Sequence, residues 1–137
     1  MKPEPGTYAL ILQSDSTTRV QIGRWGQLDL LPGYYIYIGS AFGPGGVRAR
    51  VMRHLLTDKP KHWHIDYLQE FVIPVAAWIS YETEKLEHQW ARVFYNIPEL
   101  TPIQSFGCSD CKCYSHLFHT PTKPVDVWLD KVETFCW

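Results

Sequence analysis

A chain of 137 residues with 45% apolar and 15% aromatic side chains has the length and hydrophobicity of one globular domain with its own core, and a second domain is not expected. The formal net charge of −1 excludes a general nucleic-acid coat protein, which needs an excess of positive charge, and no apolar run is long enough to suggest a membrane span. The start, Met1-Lys2-Pro3-Glu4-Pro5, lacks a signal-peptide pattern, so the expectation is a cytoplasmic protein with no membrane partner and with reduced cysteines.

Thr7-Tyr8-Ala9-Leu10-Ile11-Leu12 is an apolar run between Pro-Gly and Ser-Asp-Ser, and reads as a mid-sheet strand. Polar and apolar side chains alternate through Arg19–Gly23 and Gln27–Leu30 around Arg24-Trp25-Gly26, which predicts a hairpin. Gly33–Gly39, with three tyrosines and two isoleucines, predicts a further strand whose odd-numbered tyrosines share a face.

From Val47 to Leu56 the pattern turns helical: Val47, Val51 and Leu55 recur every four residues, Met52 and Leu56 widen the apolar side, and Arg50, Arg53 and His54 gather opposite it. Ile65, Leu68, Phe71 and Val72 suggest a shorter helix before a strand near Val75 to Ser80. Leu86, Trp90, Val93, Phe94 and Ile97 mark a clear helix, with Thr83 as N-cap and Pro98 closing it. Phe106 to Phe118 shows no periodicity, and Val125 to Leu129 reads as an edge strand or a short helix.

Charge is distributed less evenly than its sum. Arg48, Arg50, Arg53, Lys59 and Lys61 face the single acid Asp58 in one stretch, a solvated helix face on the bland reading and a phosphate-binding surface on the functional one. His62, His64 and Asp66, two residues apart in turn, suit a hydrogen-bonded helix start or, less commonly, a metal site.

Several of these segments share their order with a known family. Gly6-Thr7-Tyr8 and Tyr37-Ile38-Gly39 resemble the two half-motifs of the GIY-YIG nucleases, Arg50-Val51-Met52-Arg53-His54 resembles their R-x-x-R-H helix, and Leu86-Glu87-His88-Gln89-Trp90 is similar to their late metal-binding helix. Gly39–Gly46, His62–Leu68 and Phe106–Cys111 further resemble a bacterial and archaeal branch that in some members is fused to an endonuclease III-like DNA glycosylase. The half-motifs lie farther apart here than in typical members, and the hairpin accounts for the added length.

The resemblance implies an α/β (α+β) domain: a small, mostly antiparallel sheet with an added hairpin, flanked by helices, its core at about residues 6–97 and a Cys/His-containing extension at 98–137. It also implies a metal-dependent endonuclease acting on DNA, with a place in DNA repair; RNA is not excluded as a partner. Arg50 would pair with a phosphate oxygen and Glu87 would hold Mg²⁺ or Mn²⁺. Tyr8 or Tyr37 would activate water, with His54 as alternative base or relay. Arg48, Arg53, His62 and His64 would contact the substrate backbone. On residue type alone a strand tyrosine is a packing residue, and Glu87 a first-turn acid favoured by the helix dipole.

One more cluster stands apart. Cys108-x-x-Cys111-x-Cys113-x-x-His116 offers four ligands suited to Zn²⁺, against the reading of a packed, thiol-rich loop. Ser109-Asp110 and Ser115-His116 lack the glycine pattern of a nucleophile elbow. Three functional classes follow: a nuclease, a nucleic-acid-binding module without catalysis, and a zinc-stabilised interaction domain.

Overall fold

The computed structural model describes residues 1–108 and 113–137. Strand β1 (Gly6–Ser14) runs through the middle of an antiparallel sheet, between β4 (Gly33–Ala41) and β5 (Ile73–Ser80). Both of its faces are covered, which is why its sequence is a continuous apolar run. The sheet extends through β7 (Leu117–Thr120) and the two-residue β6 (Thr101–Pro102) beyond β4, and through β8 (Glu133–Cys136) beyond β5.

The hairpin is a sheet of its own, β2 (Thr18–Ile22) with β3 (Gly26–Leu30). Val20, Ile22, Leu28 and Leu30 point inward from it, and it packs on α2 (His64–Leu68). On the same side lies α1 (Gly46–Leu55), and together they cover Tyr8, Leu10, Leu12, Tyr35 and Tyr37 with Val47, Val51, Ile65 and Leu68. The opposite face, with Ala9, Ile11, Ile36, Ile38 and Trp78, packs on Trp90, Ala91 and Phe94 of α3 (Glu87–Tyr95). The expected odd–even division of β4 is therefore observed: Tyr35 and Tyr37 face α1, Ile36 and Ile38 face α3. The result is the expected α/β domain: a mostly antiparallel sheet, flanked by helices, with an added hairpin.

The chain start is tied to α1. The amides of Val47 and Arg48 donate to the carbonyls of Glu4 (2.8 Å) and Lys2 (3.1 Å), satisfying two first-turn groups that have no partner within a helix. A side chain at Gly46, whose φ is 61°, would collide with the Glu4 backbone.

Several local expectations are corrected. The buried side of α1 is Val47, Val51 and His54, while Met52 and Leu56 are about half exposed; His54 belongs to the core because both ring nitrogens find partners there. Helix α2 stops at Leu68 and leaves Phe71 exposed. The cap of α3 is Leu86 rather than Thr83, held by a 3.2 Å hydrogen bond from its amide to Thr7 Oγ1. Of the alternatives for 125–129, the short helix holds, as a 3₁₀ turn at Asp126–Trp128. Among the described residues no helix is long and apolar enough to cross a membrane.

Candidate active site

Pairing of β1 with β4 sets Tyr8 opposite Gly39 and Thr7 opposite Ser40, at the end of the sheet where α1 and α3 both begin. Glycine is required at Gly39 and, at the start of β1, at Gly6. A Cβ on Gly39 would run into the Tyr8 hydroxyl and ring, and one on Gly6 would strike the Ser80 carbonyl and Val47. The glycines of both half-motifs thus make room, one for a tyrosine ring and one for a neighbouring strand.

A cavity of about 270 Å³ opens here, lined by Tyr8, Tyr37, Gly39, Ser40, Arg50, His62, Trp63, His64, Glu87 and Gly107. Side chains from β1, β4, α1, α2 and α3 meet in it, drawn from positions up to 79 residues apart, as the Thr7–Leu86 contact illustrates.

Ser40 joins the two charged residues. Its carbonyl accepts from Arg50 Nη1 (3.1 Å) and its hydroxyl donates to Glu87 Oε1 (2.6 Å). Arg50 is further held by stacking, its guanidinium carbon 4.6 Å from the centre of the Trp63 ring. The second carboxylate oxygen of Glu87 lies 3.1 Å from His116 Nδ1. Burial pushes the Glu87 carboxyl up, but the hydrogen bonds from His116 and Ser40 outweigh it and hold the group below its ordinary value. It is a carboxylate at neutral pH, and each oxygen retains a lone pair for a cation.

Tyr8 is buried, with its hydroxyl 2.7 Å from His54 Nε2. His54 Nδ1 lies 3.2 Å from Gln69 Oε1, which also accepts from Lys59 Nζ at 3.0 Å. An oxygen that accepts from an ammonium is an acceptor for the ring as well, so Nδ1 carries the imidazole proton and Nε2 accepts from Tyr8. Burial is the main cause that lowers His54 to about 4 and raises Tyr8 well above the usual phenol range. Burial also raises Tyr37, reinforced by the negative charge of Glu87. The resting site therefore holds two neutral tyrosines and a neutral histidine.

A family profile described as Domain of unknown function DUF123 matches residues 7–136. The chain belongs to that family. The matched span takes in every residue that lines the cavity of this DUF123 domain. Neither the curated proteins nor the solved structures contain a significant match.

Of the residues singled out from sequence, the DUF123 domain brings Tyr8, Tyr37, Arg50, Glu87, His62 and His64 to one cavity. His54 stands behind Tyr8 rather than in the lining. Arg53 is directed elsewhere: it forms a bidentate pair with buried Asp66 (3.0 Å to each oxygen) and stacks on Trp63. Asp66 also accepts from the amides of His62 and Trp63, so it serves the helix start and Arg53. Lys59 caps the last carbonyls of α1, Lys61 pairs with Glu70, and Arg48 is exposed outside the cavity. The basic stretch is thus largely engaged internally, and Arg50 is its one member in the cavity lining.

The four-ligand zinc loop is only partly within the described residues. Cys108 Sγ contacts its neighbour carbonyl at Phe106 (3.4 Å), and Cys111 lies outside the described residues. Within the described residues, Cys113 and His116 approach His88 of α3. Sequence reasoning also missed Ser40 and the pairing of His116 with Glu87. Strand alternation carries a signal for the first: Ser40 falls on the even-numbered face of β4, the face that α3 covers.

Proposed function

We propose that the protein is a metal-dependent endonuclease of the GIY-YIG type that hydrolyses phosphodiester bonds in DNA. The observation that carries this reading is the convergence of Tyr8, Tyr37, Arg50 and Glu87 on one cavity. Glycines that pack against Tyr8 and Ser80 give the half-motifs a physical reason to be where they are.

In this reading the scissile phosphate sits against Arg50, whose position is fixed by Ser40 and Trp63 so that its planar fork meets the phosphoryl oxygens. Water attacks phosphorus as the P–O bond to the leaving sugar oxygen breaks, that oxygen keeping the electron pair and taking a proton from solvent; the attacking water's proton passes to the Tyr8 oxygen as the Tyr8 proton passes to His54 Nε2. Tyr37 orients the water from the neighbouring strand. Glu87, the single carboxylate in the lining among the described residues, suits one Mg²⁺ or Mn²⁺, a cation that takes one or two carboxylates plus water and phosphate oxygens. When bound, that ion supplies charge stabilisation for the phosphoryl and leaving oxygens. His62 and His64 would meet flanking phosphates; His64 Nδ1 accepts from the Gly107 amide (3.1 Å), which leaves the proton on Nε2 as a donor.

A second reading, a DNA-binding module without catalysis, draws on the same site: both oxygens of Glu87 already accept hydrogen bonds, and burial opposes ionisation of both tyrosines. Incubation with nicked, branched and single-stranded DNA, and with RNA, with and without Mg²⁺ or Mn²⁺, separates the two. The nuclease reading expects metal-dependent cleavage that is lost in Arg50→Ala and Glu87→Gln. Binding without cleavage supports the module, and cleavage that persists equally in both variants sinks the site.

A further inference from the structure

His88, Cys113 and His116 bring two imidazoles and a thiol together beside the cavity, their ligand atoms all within 4.8 Å of one another. These three come from the first turn of α3 and from the segment that leads into β7, so the grouping is a product of the tertiary fold rather than of spacing in one loop. Two nitrogens and one sulfur are the donor set of zinc-class cations and a poor one for Mg²⁺, which takes oxygen.

A second observation points to the same conclusion. Metal-bound histidines almost always give their other ring N–H to a carboxylate or carbonyl, which fixes the tautomer and turns the remaining nitrogen toward the metal. His116 is buried and has this arrangement with Glu87: Nδ1 faces Oε2 at 3.1 Å, so its ligand atom is Nε2. The His88 and His116 rings have centroids 6.0 Å apart. Around a tetrahedral zinc, donors lie roughly 3.4 Å apart, so the site closes by a modest rotation of His88, which is exposed and has room to move.

We propose that His88, Cys113 and His116 form a zinc-class metal site whose metal-bound His116 orients the carboxylate of Glu87. Glu87 and His88 are consecutive, so the two ends of this relay leave α3 from adjacent positions: the carboxylate enters the cavity and the imidazole reaches the metal. The inference does not depend on nuclease activity.

The test uses the full chain, stripped with chelator and then titrated with Zn²⁺ and, separately, Co²⁺. Expected are one bound metal per chain, a thiolate-to-cobalt charge-transfer band, and a rise in melting temperature on adding Zn²⁺. Cys113→Ser should abolish the band, and His88→Ala should weaken binding by 10-fold or more. His88 is exposed, so its variant is expected to fold as wild type, which circular dichroism checks. Absence of stoichiometric uptake by the wild type overturns the proposal. So does uptake that survives in both variants, or uptake lost in Cys108→Ser but kept in His88→Ala, which would return the metal to the single-loop set. Metal content and spectrum are read without DNA, so a failed nuclease assay leaves these outcomes intact.

Discussion

The Tyr8 hydroxyl donates to Nε2 of His54 across 2.7 Å in the interior of the protein. This contact joins the first half-motif to α1 and aligns a phenol at the rim of the cavity. Tyr8→Phe removes the donor and leaves a buried nitrogen unsatisfied, so a stability loss of about 1 kcal/mol is expected in denaturant melts. If the nuclease reading is right, cleavage falls by about 100-fold with little change in DNA binding.

The same histidine sets a pH dependence. His54 titrates at about 4 when folded against 6.5 for an ordinary imidazole, because burial disfavours its charged form. The stability it contributes is complete above pH 6.5 and is lost as the pH falls toward 4, a total on the order of 3 kcal/mol. Asp66 and Glu87 are held below ordinary carboxylate values and titrate lower, while burial also lowers His64, so the His54 share of this window is the difference between the wild type and His54→Gln. Unfolding free energies between about pH 7 and pH 4.5 should decline in the wild type and stay flatter in His54→Gln. Equal slopes would contradict the assignment.

Glycine substitutions separate packing from tolerance. Gly39→Ala forces the Tyr8 ring to move and should destabilise by about 1–3 kcal/mol. Gly6→Ala meets a backbone carbonyl that cannot rotate away and should cost at least as much. Gly43→Ala is the control, because the nearest heavy atom to its Cβ is Arg50 Nη2 at 3.9 Å. Thermal melts of the three rank them directly.

Arg53→Ala leaves the carboxylate of Asp66, whose side chain is 0% exposed, without its ion-pair partner. A loss of roughly 3 kcal/mol is expected. On the proposed function, DNA affinity measured on the folded fraction is unchanged in Arg53→Ala and falls in Arg50→Ala. Weakened binding by folded Arg53→Ala would restore it to the substrate surface.

Arg50→Lys keeps the charge but loses the fork that reaches the Ser40 carbonyl while the guanidinium stacks on Trp63. On the proposed nuclease function, cleavage drops by about 10-fold or more. Full activity in this variant would reduce Arg50 to a point charge.

The larger elements were legible because periodicity and turn chemistry act locally. The run at Thr7–Leu12, the alternation around Trp25 and the four-residue spacing before Pro98 each mark an element within a dozen residues. What sequence concealed has a common physical origin. His54 looked like a surface residue because its burial depends on Tyr8 and Gln69, 46 and 15 residues away. Strands of two to four residues, such as β6, β7 and β8, are too short to show a period. The cluster of basic residues looked available for phosphate because its partners, Asp66 and Glu70, follow in the next helix and the turn after it. In the site, the residue types were readable but their wiring was not: Ser40 and His116 act through Glu87, and nothing in their local sequence says so.

The tether between the chain start and α1 bears on how the protein is handled. A shortened version beginning at Gly6 would remove the carbonyls of Lys2 and Glu4 and strip two amides of their acceptors at the head of the helix that carries Arg50. A fusion ahead of Met1 needs a spacer, because one that drags on these five residues would slacken the helix that carries the Arg50 guanidinium.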